Sequence, residues 1–239
     1  MMSGNLSMPE GADSRDRPGP LASHANPRAI AYSHHGTLAA TPPAMGHTPG
    51  MPDAASAPYT WDDFVSLDED DLRELIDGEL VEVEVPTWQH EHIVALLLYH
   101  LTTWARAGHG GRACGSGYKI RISERRGVMP DAQFYRAGND APRAQDEGLA
   151  RGRPDLVVEI VSPSSQRYDR VKKLRWYAEL GVPEYWLIDP TARTVERLVL
   201  RDRAYVIAES LADDETFAPE SFDGLSLSVA ELCAIAPDR

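Results

Sequence analysis

The chain has 239 residues, a net charge of −13 and 18 prolines, which is enough for one sizeable core with an appended segment. So negative a total argues against a protein that coats nucleic acid, since such a protein shows a basic footprint; a bound metal ion can still reverse the local field at one site. Two distant cysteines, Cys114 and Cys233, form neither a disulfide framework nor a zinc site.

Residues 1–58 hold nine of the 18 prolines and six of the 18 glycines. They show no apolar periodicity and cannot bury enough surface to offset the entropy of ordering, so a disordered arm is expected there. The first basic residue is Arg15 and no apolar run follows it, unlike a secretory leader. Acids at Glu10, Asp13 and Asp16 are unlike a transit peptide. No stretch of about 18 apolar residues is present. The expectation is a cytoplasmic protein with no membrane partner.

Thr60, with Asp63 three residues on, predicts a capped helix entry at Tyr59–Phe64. A second short helix is expected over Asp68–Leu75. Strict alternation over Glu79–Val85 predicts a half-buried strand that Pro86 stops. Helical spacing of Ile93, Leu96, Leu97, Leu101 and Trp104 predicts a helix over His90–Ala107, closed by Gly108. Strands are expected over Tyr118–Ile122, Val128–Tyr135 and Asp155–Val161, with a polar loop from Gly138 to Gly152. A second strong helix spans Arg167–Leu180 and ends at Gly181-Val182-Pro183. Then come a buried strand at Glu184–Asp189, a hairpin of Val195–Leu200 and Ala204–Ala208 around Asp202-Arg203, and a short helix near Ser228–Ile235. This order predicts an α/β domain, a mixed sheet flanked by helices, over residues 59–209. Residues 210–239 form a C-terminal extension whose short helix packs on that domain.

The chemistry concentrates in two strands. Along Pro154–Val161, side chains alternate, so Glu159 is an acid in the middle of an apolar strand. A buried carboxylate needs a partner, a proton or a metal. Asp131, after Pro130, shares a strand face with Gln133 and Tyr135. If the two strands are neighbours, Asp131 and Glu159 converge, and two converging acids call for a cation between them. Mg²⁺, or Mn²⁺ in its place, suits such oxygen ligands. Charge is also uneven. Asp62–Glu84 carries eleven acids and one base, whereas Arg167–Arg175 carries five bases and one acid. On the second helix, Val171, Leu174 and Ala178 fall at i, i+3 and i+7 as an apolar stripe, and Lys173 and Tyr177 sit at i, i+4 on its shoulder. His90 and His92 lack the further ligands a zinc site needs. Ser162-Pro163-Ser164-Ser165 has no glycine elbow and no paired histidine, so it reads as a cap rather than a nucleophile.

Several segments follow one family's pattern in order. They are Asp77-Gly78-Glu79-Leu80, His90, Pro130-Asp131, the run Pro154–Ser165, then Asp169-Arg170, Lys173 and Tyr177, and Gly181–Pro190. The chain resembles the Uma-two family of restriction-endonuclease-like proteins, a branch of the PD-(D/E)XK nucleases, over roughly residues 59–208. The resemblance implies an Mg²⁺-dependent endonuclease acting on nucleic acid, with DNA the expected partner. It implies that Asp131 and Glu159 hold the metal, with the Ile160 backbone carbonyl as a further ligand. Glu79 is carried along as an added catalytic carboxylate. The superfamily's lysine usually stands two residues after the second acid, where this chain has Val161; Lys173 on the following helix matches the position used in this branch. Many nucleases of the superfamily act as dimers, so a homodimer is a partner to test. Two other classes stay open: a nuclease-fold binding or regulatory module without catalysis, and a metal-dependent hydrolase of small phosphoesters.

Overall fold

The six-stranded sheet at the centre has the order β11-β10-β9-β8-β6-β3. Its strands are β3 (Arg112–Gly115), β6 (Ala132–Tyr135), β8 (Leu156–Ile160), β9 (Glu184–Asp189), β10 (Thr194–Arg201) and β11 (Ala204–Ala212). Strands β8 and β9 are parallel and every residue of both is buried. Parallel neighbours need a crossover, and the helical segment that ends in α3 (Leu174–Leu180) supplies it. The computed structural model describes residues 57–234 apart from 69–70, 142–148, 151 and 164. The chain divides into Met1–Asp53 and Ala54–Arg239, and everything described lies in the second unit. The arm expected to be disordered lies outside the described residues up to residue 56.

A second sheet has the order β2-β1-β5-β4-β7. Its strands are β1 (Arg73–Ile76), β2 (Glu79–Glu82), β4 (Lys119–Ser123), β5 (Arg126–Val128) and β7 (Leu149–Ala150). Here the structure departs from the expected helix at Asp68–Leu75. Residues 73–76 are a strand, joined to β2 through Asp77 and Gly78, both at positive φ. An Asp-Gly pair with positive φ at both places is the favoured two-residue hairpin turn. Glu74 and Leu75 are both buried, on opposite faces, and this erases the alternation that marks a strand.

The expected strand Val128–Tyr135 is two strands in two sheets. Pro130 has no N–H to donate, and the chain passes from β5 in one sheet to β6 in the other across Met129–Asp131. The expected loop at 138–152 contains β7, parallel to β4, while residues 142–148 lie outside the described part. β3, set among glycines, carries no strand signal in the sequence.

The strand expected over Glu79–Val85 ends at Glu82 and is mostly exposed, and the helix expected to reach Ala107 gives way to a π-turn after Trp104; the other expected elements are present. α1 (Trp61–Val65) begins with the Thr60–Asp63 capping box. Its Trp61 and Phe64 pack with Leu75, and Gly127 lies so close beneath that a Cβ there would be 2.6 Å from the Phe64 ring. α2 (Trp88–Trp104) buries Ile93, Val94, Leu97, Leu101 and Trp104 against the six-stranded sheet. The β10–β11 hairpin turns at Asp202-Arg203, both at positive φ. β11 runs on to Ala212, so the expected boundary at 209 falls inside a strand. Beyond it come β12 (Thr216–Phe217), β13 (Leu227–Ser228) and α4 (Val229–Leu232), capped by Ser228. Phe217 and Phe222 pack on Trp186, which joins this segment to the core. Both cysteines are free. No helix among the described residues is long and apolar enough to cross a membrane.

Candidate active site

Alternation along β8 sends Leu156, Val158 and Ile160 into the core beneath α2, and Val157 and Val161 into the core beneath α3. Glu159 has the parity of the second set. It points towards α3, where its Oε1 accepts the Tyr177 hydroxyl at 2.6 Å and lies 3.0 Å from Lys173 Nζ.

Lys173 reaches this point because the crossover helix is not regular. Residues Tyr168–Lys173 form a π-helical turn, in which the Leu174 N–H reaches back to the carbonyl of Asp169. The wider turn shifts the helix face. Val171, expected in the apolar stripe, is 41% exposed, and Lys173, expected on the shoulder, is 6% exposed. Lys172 is exposed. Asp169, one turn before Lys173, is buried and lies 3.6 Å from its ammonium.

A third carboxylate comes from β1. Glu74 is 1% exposed. Its Oε1 lies 3.3 Å from Lys173 Nζ and accepts the Met129 N–H at 3.0 Å. Its carboxylate also faces the buried Tyr168 hydroxyl.

Asp131 stands where the two sheets part. Strands β6 and β8 pair up to Ala132↔Val158. Just beyond, Asp131 Oδ2 accepts the Ile160 N–H at 2.7 Å, while its Oδ1 is 3.1 Å from His90 Nε2 on the first turn of α2. His90 Nδ1 lies 3.4 Å from Glu91. A residue's N–H and C=O point to the same edge of a strand, so the Ile160 carbonyl faces the edge where Asp131 sits.

The electrostatics follow from burial. Burial raises the Glu159 carboxyl well above its usual range; Lys173 opposes this, while Asp131, Asp169 and Glu74 add to it. Asp169 is raised as well, by burial, against Lys173 and a hydrogen bond from Ser165. Burial alone would lower Lys173, but Glu159, Glu74 and Asp169 outweigh it and hold the ammonium charged. Burial also pulls His90 down, yet the hydrogen bond and charge of Asp131, with Glu91, raise it overall.

The sequence-expected set is thus only partly one cluster. Asp131, Glu159, Ile160 and Lys173 come together. Glu79 is exposed on β2 and is not among the acids around Lys173. The acids that reasoning from sequence missed are Glu74 and Asp169. Asp169 carried a usable signal, its i, i+4 spacing to Lys173. Glu74 was hidden by the helix expected over it.

Among the described residues, no group of three or more His, Cys, Asp or Glu is arranged to hold a metal ion. The available donors are two carboxylates and a backbone carbonyl. That is a set Mg²⁺ accepts, because it keeps several waters and takes one or two carboxylates. The charge around Lys173 also leaves room for a cation, since three buried acids share one ammonium and Asp131 stands near enough to raise two of them.

The chain is similar to known proteins over this same region. The Uma2 family model, described as "Putative restriction endonuclease", matches residues 61–230. A crystal structure described as a "putative nuclease belonging to DUF820", from Anabaena variabilis ATCC 29413, superposes with a TM-score of 0.61 at 22% identity, covering 74% of this chain and 98% of that one. At that identity the likeness speaks for the fold. No curated protein matches the chain.

Proposed function

The chain belongs to the Uma2 family of restriction-endonuclease-like proteins, and from that premise we propose that it is an Mg²⁺-dependent endonuclease of the PD-(D/E)XK kind, acting on DNA. One observation carries the proposal. Asp131 holds the Ile160 N–H, and Glu159, the residue before it, lies close enough to feel the Asp131 charge while carrying the charged Lys173 on its carboxylate. Asp131, Glu159 and the Ile160 carbonyl are the groups that would hold the ion; Mn²⁺ suits the same donors. Bound there, Mg²⁺ supplies positive charge to a phosphoryl oxygen and lowers the pKa of a water.

The protein's own groups do the rest. Lys173 is kept protonated by three carboxylates, so it offers a fixed positive charge to the negative charge that develops on a phosphate. Tyr177 holds the same Glu159 oxygen as Lys173 and fixes that side chain from a second direction. His90 and the Ile160 N–H each take one oxygen of Asp131, which fixes the plane of its carboxylate. Charged groups held in place before reaction need not reorganise during it.

A second reading rests on the same lysine. Lys173 faces three carboxylates and is nearly buried, as in a structural ion pair. A nuclease-fold binding module without catalysis fits that geometry. Plasmid cleavage with Mg²⁺ separates the two. On the nuclease reading the wild type is expected to nick or linearise plasmid, and Asp131→Asn and Glu159→Gln are expected to abolish it. A folded wild type that neither cleaves nor binds Mg²⁺ in calorimetry supports the binding module. DNA affinity that falls steeply with salt supports a polyanion substrate over a small phosphoester.

A further inference from the structure

We propose that Glu74 is a positioning residue that ties Lys173 to the Asp131 turn, and that it compensates for the absence of a lysine two residues after Glu159. This rests on the nuclease reading, because it assigns Lys173 a charge that must be aimed. Val161 occupies the usual lysine position. It is buried in an apolar cluster with Trp176 and Tyr177, so the strand itself brings no cation to the site. The cation comes instead from the crossover helix, and a lysine from that side reaches the acids on a long, flexible stem. Holding one rotamer of such a side chain costs conformational entropy. Opposed anchors reduce the freedom left to it.

The structure supplies those anchors from three elements. Glu159 approaches from β8, Asp169 from the preceding turn of the same helix, and Glu74 from β1 in the other sheet. Glu74 is the one that links two parts of the site. The same Oε1 meets Lys173 Nζ and the N–H of Met129, two residues before Asp131. The register explains the reach. β1 pairs with β5 at Leu75↔Gly127, and this brings residue 74 beside the end of β5, just before Met129. A shift of β1 would therefore move the lysine and the Asp131 turn together.

Stability alone does not account for Glu74. A buried ion pair is often no more stabilising than apolar side chains of equal volume, so aiming Lys173 is the reason the geometry offers for keeping a charge at this place.

The test is a double-mutant cycle of Glu74→Gln and Lys173→Met, read by steady-state plasmid cleavage and by the ¹⁵N signal of the Lys173 ammonium. Glutamine keeps an acceptor for the Met129 N–H and removes the charge. Glu74→Gln is expected to lower kcat about tenfold with KM unchanged, and to change kcat less than about twofold once Lys173 is already methionine. An equal loss in both backgrounds, or no loss in either, overturns the proposal. The ammonium signal, assigned by its disappearance in Lys173→Met, is expected to move in Glu74→Gln while the backbone amide spectrum keeps its dispersion. An unmoved signal overturns the proposal whether or not the wild type cleaves DNA. A wild type without cleavage counts against the nuclease reading, and the ammonium signal then decides the positioning role. Should Glu74→Gln fail to fold, Glu74→Asp takes its place, with the charge kept at shorter reach and the same directions expected.

Discussion

Asp131 caps the edge of β8: its Oδ2 accepts the Ile160 N–H at 2.7 Å, one step past the last backbone pair between β6 and β8. A side chain supplies the acceptor that the backbone ladder no longer offers once the chain leaves β6. Two consequences can be separated. In Asp131→Ala the buried N–H is left without an acceptor, at a cost of about 1–3 kcal/mol. In Asp131→Asn the amide oxygen still accepts, so little stability is lost. Urea denaturation is expected to show this difference. Both variants are expected to lose Mg²⁺-dependent cleavage, because neither keeps the carboxylate charge.

Glu159 was legible because a lone acid inside an apolar strand is a local signal. The α1 cap, set by Thr60 and Asp63, was legible for the same reason. Lys173 was readable as a candidate but not as a buried group. Its burial depends on a π-turn that exchanges the faces of Val171 and Lys173, and no regular helical wheel contains that turn. Glu74 was lost because both of its strand's faces are covered, one of them by the site itself. The strands of Asp131 and Glu159 are neighbours, the condition their convergence needed, yet the break at Pro130, which sends β5 and β6 to different sheets, is a tertiary fact.

Removing Lys173 is expected to be costly. Lys173→Met would leave Glu159, Glu74 and Asp169 buried without their shared cation, and breaking such a set costs about 3–5 kcal/mol. Adding Glu159→Gln removes one of the stranded charges, so the double variant is expected to be more stable than Lys173→Met alone. Additive losses in chemical denaturation would show that the two groups do not interact.

His90 sets a pH dependence of stability. Burial lowers its pKa, but Asp131 and Glu91 raise it overall above the usual imidazole value of 6.5. A group with a raised pKa binds its proton more tightly in the folded state. Its contribution is therefore whole below 6.5 and fades as the pH climbs through the folded value. The stability of the wild type is expected to fall with rising pH in that window more steeply than that of His90→Gln. Parallel curves for the two proteins would remove the Asp131–His90 charge interaction from the account.

Glu79 provides the contrast with Glu74. It is exposed on β2. Glu79→Ala is expected to shift stability by no more than about 0.5 kcal/mol, as surface substitutions do, and to leave cleavage near the wild-type rate. A loss of cleavage comparable to that of Asp131→Asn would return Glu79 to the catalytic set and place the site nearer to β2 than the present geometry does.

The metal itself can be tested without any cleavage assay. An ion that binds only the folded chain stabilises it by RT ln(1 + [L]/Kd), about 2.7 kcal/mol at a hundredfold excess over Kd. Mg²⁺ is expected to raise the melting temperature of the wild type in proportion to the logarithm of its concentration. Asp131→Asn removes one of the two carboxylates that would hold the ion while keeping the Ile160 N–H acceptor. Its melting temperature is expected to stay flat across the same titration. A rise of equal size in both proteins would place Mg²⁺ elsewhere on this acidic surface, and the Asp131–Glu159 pair would then be a structural feature of the fold.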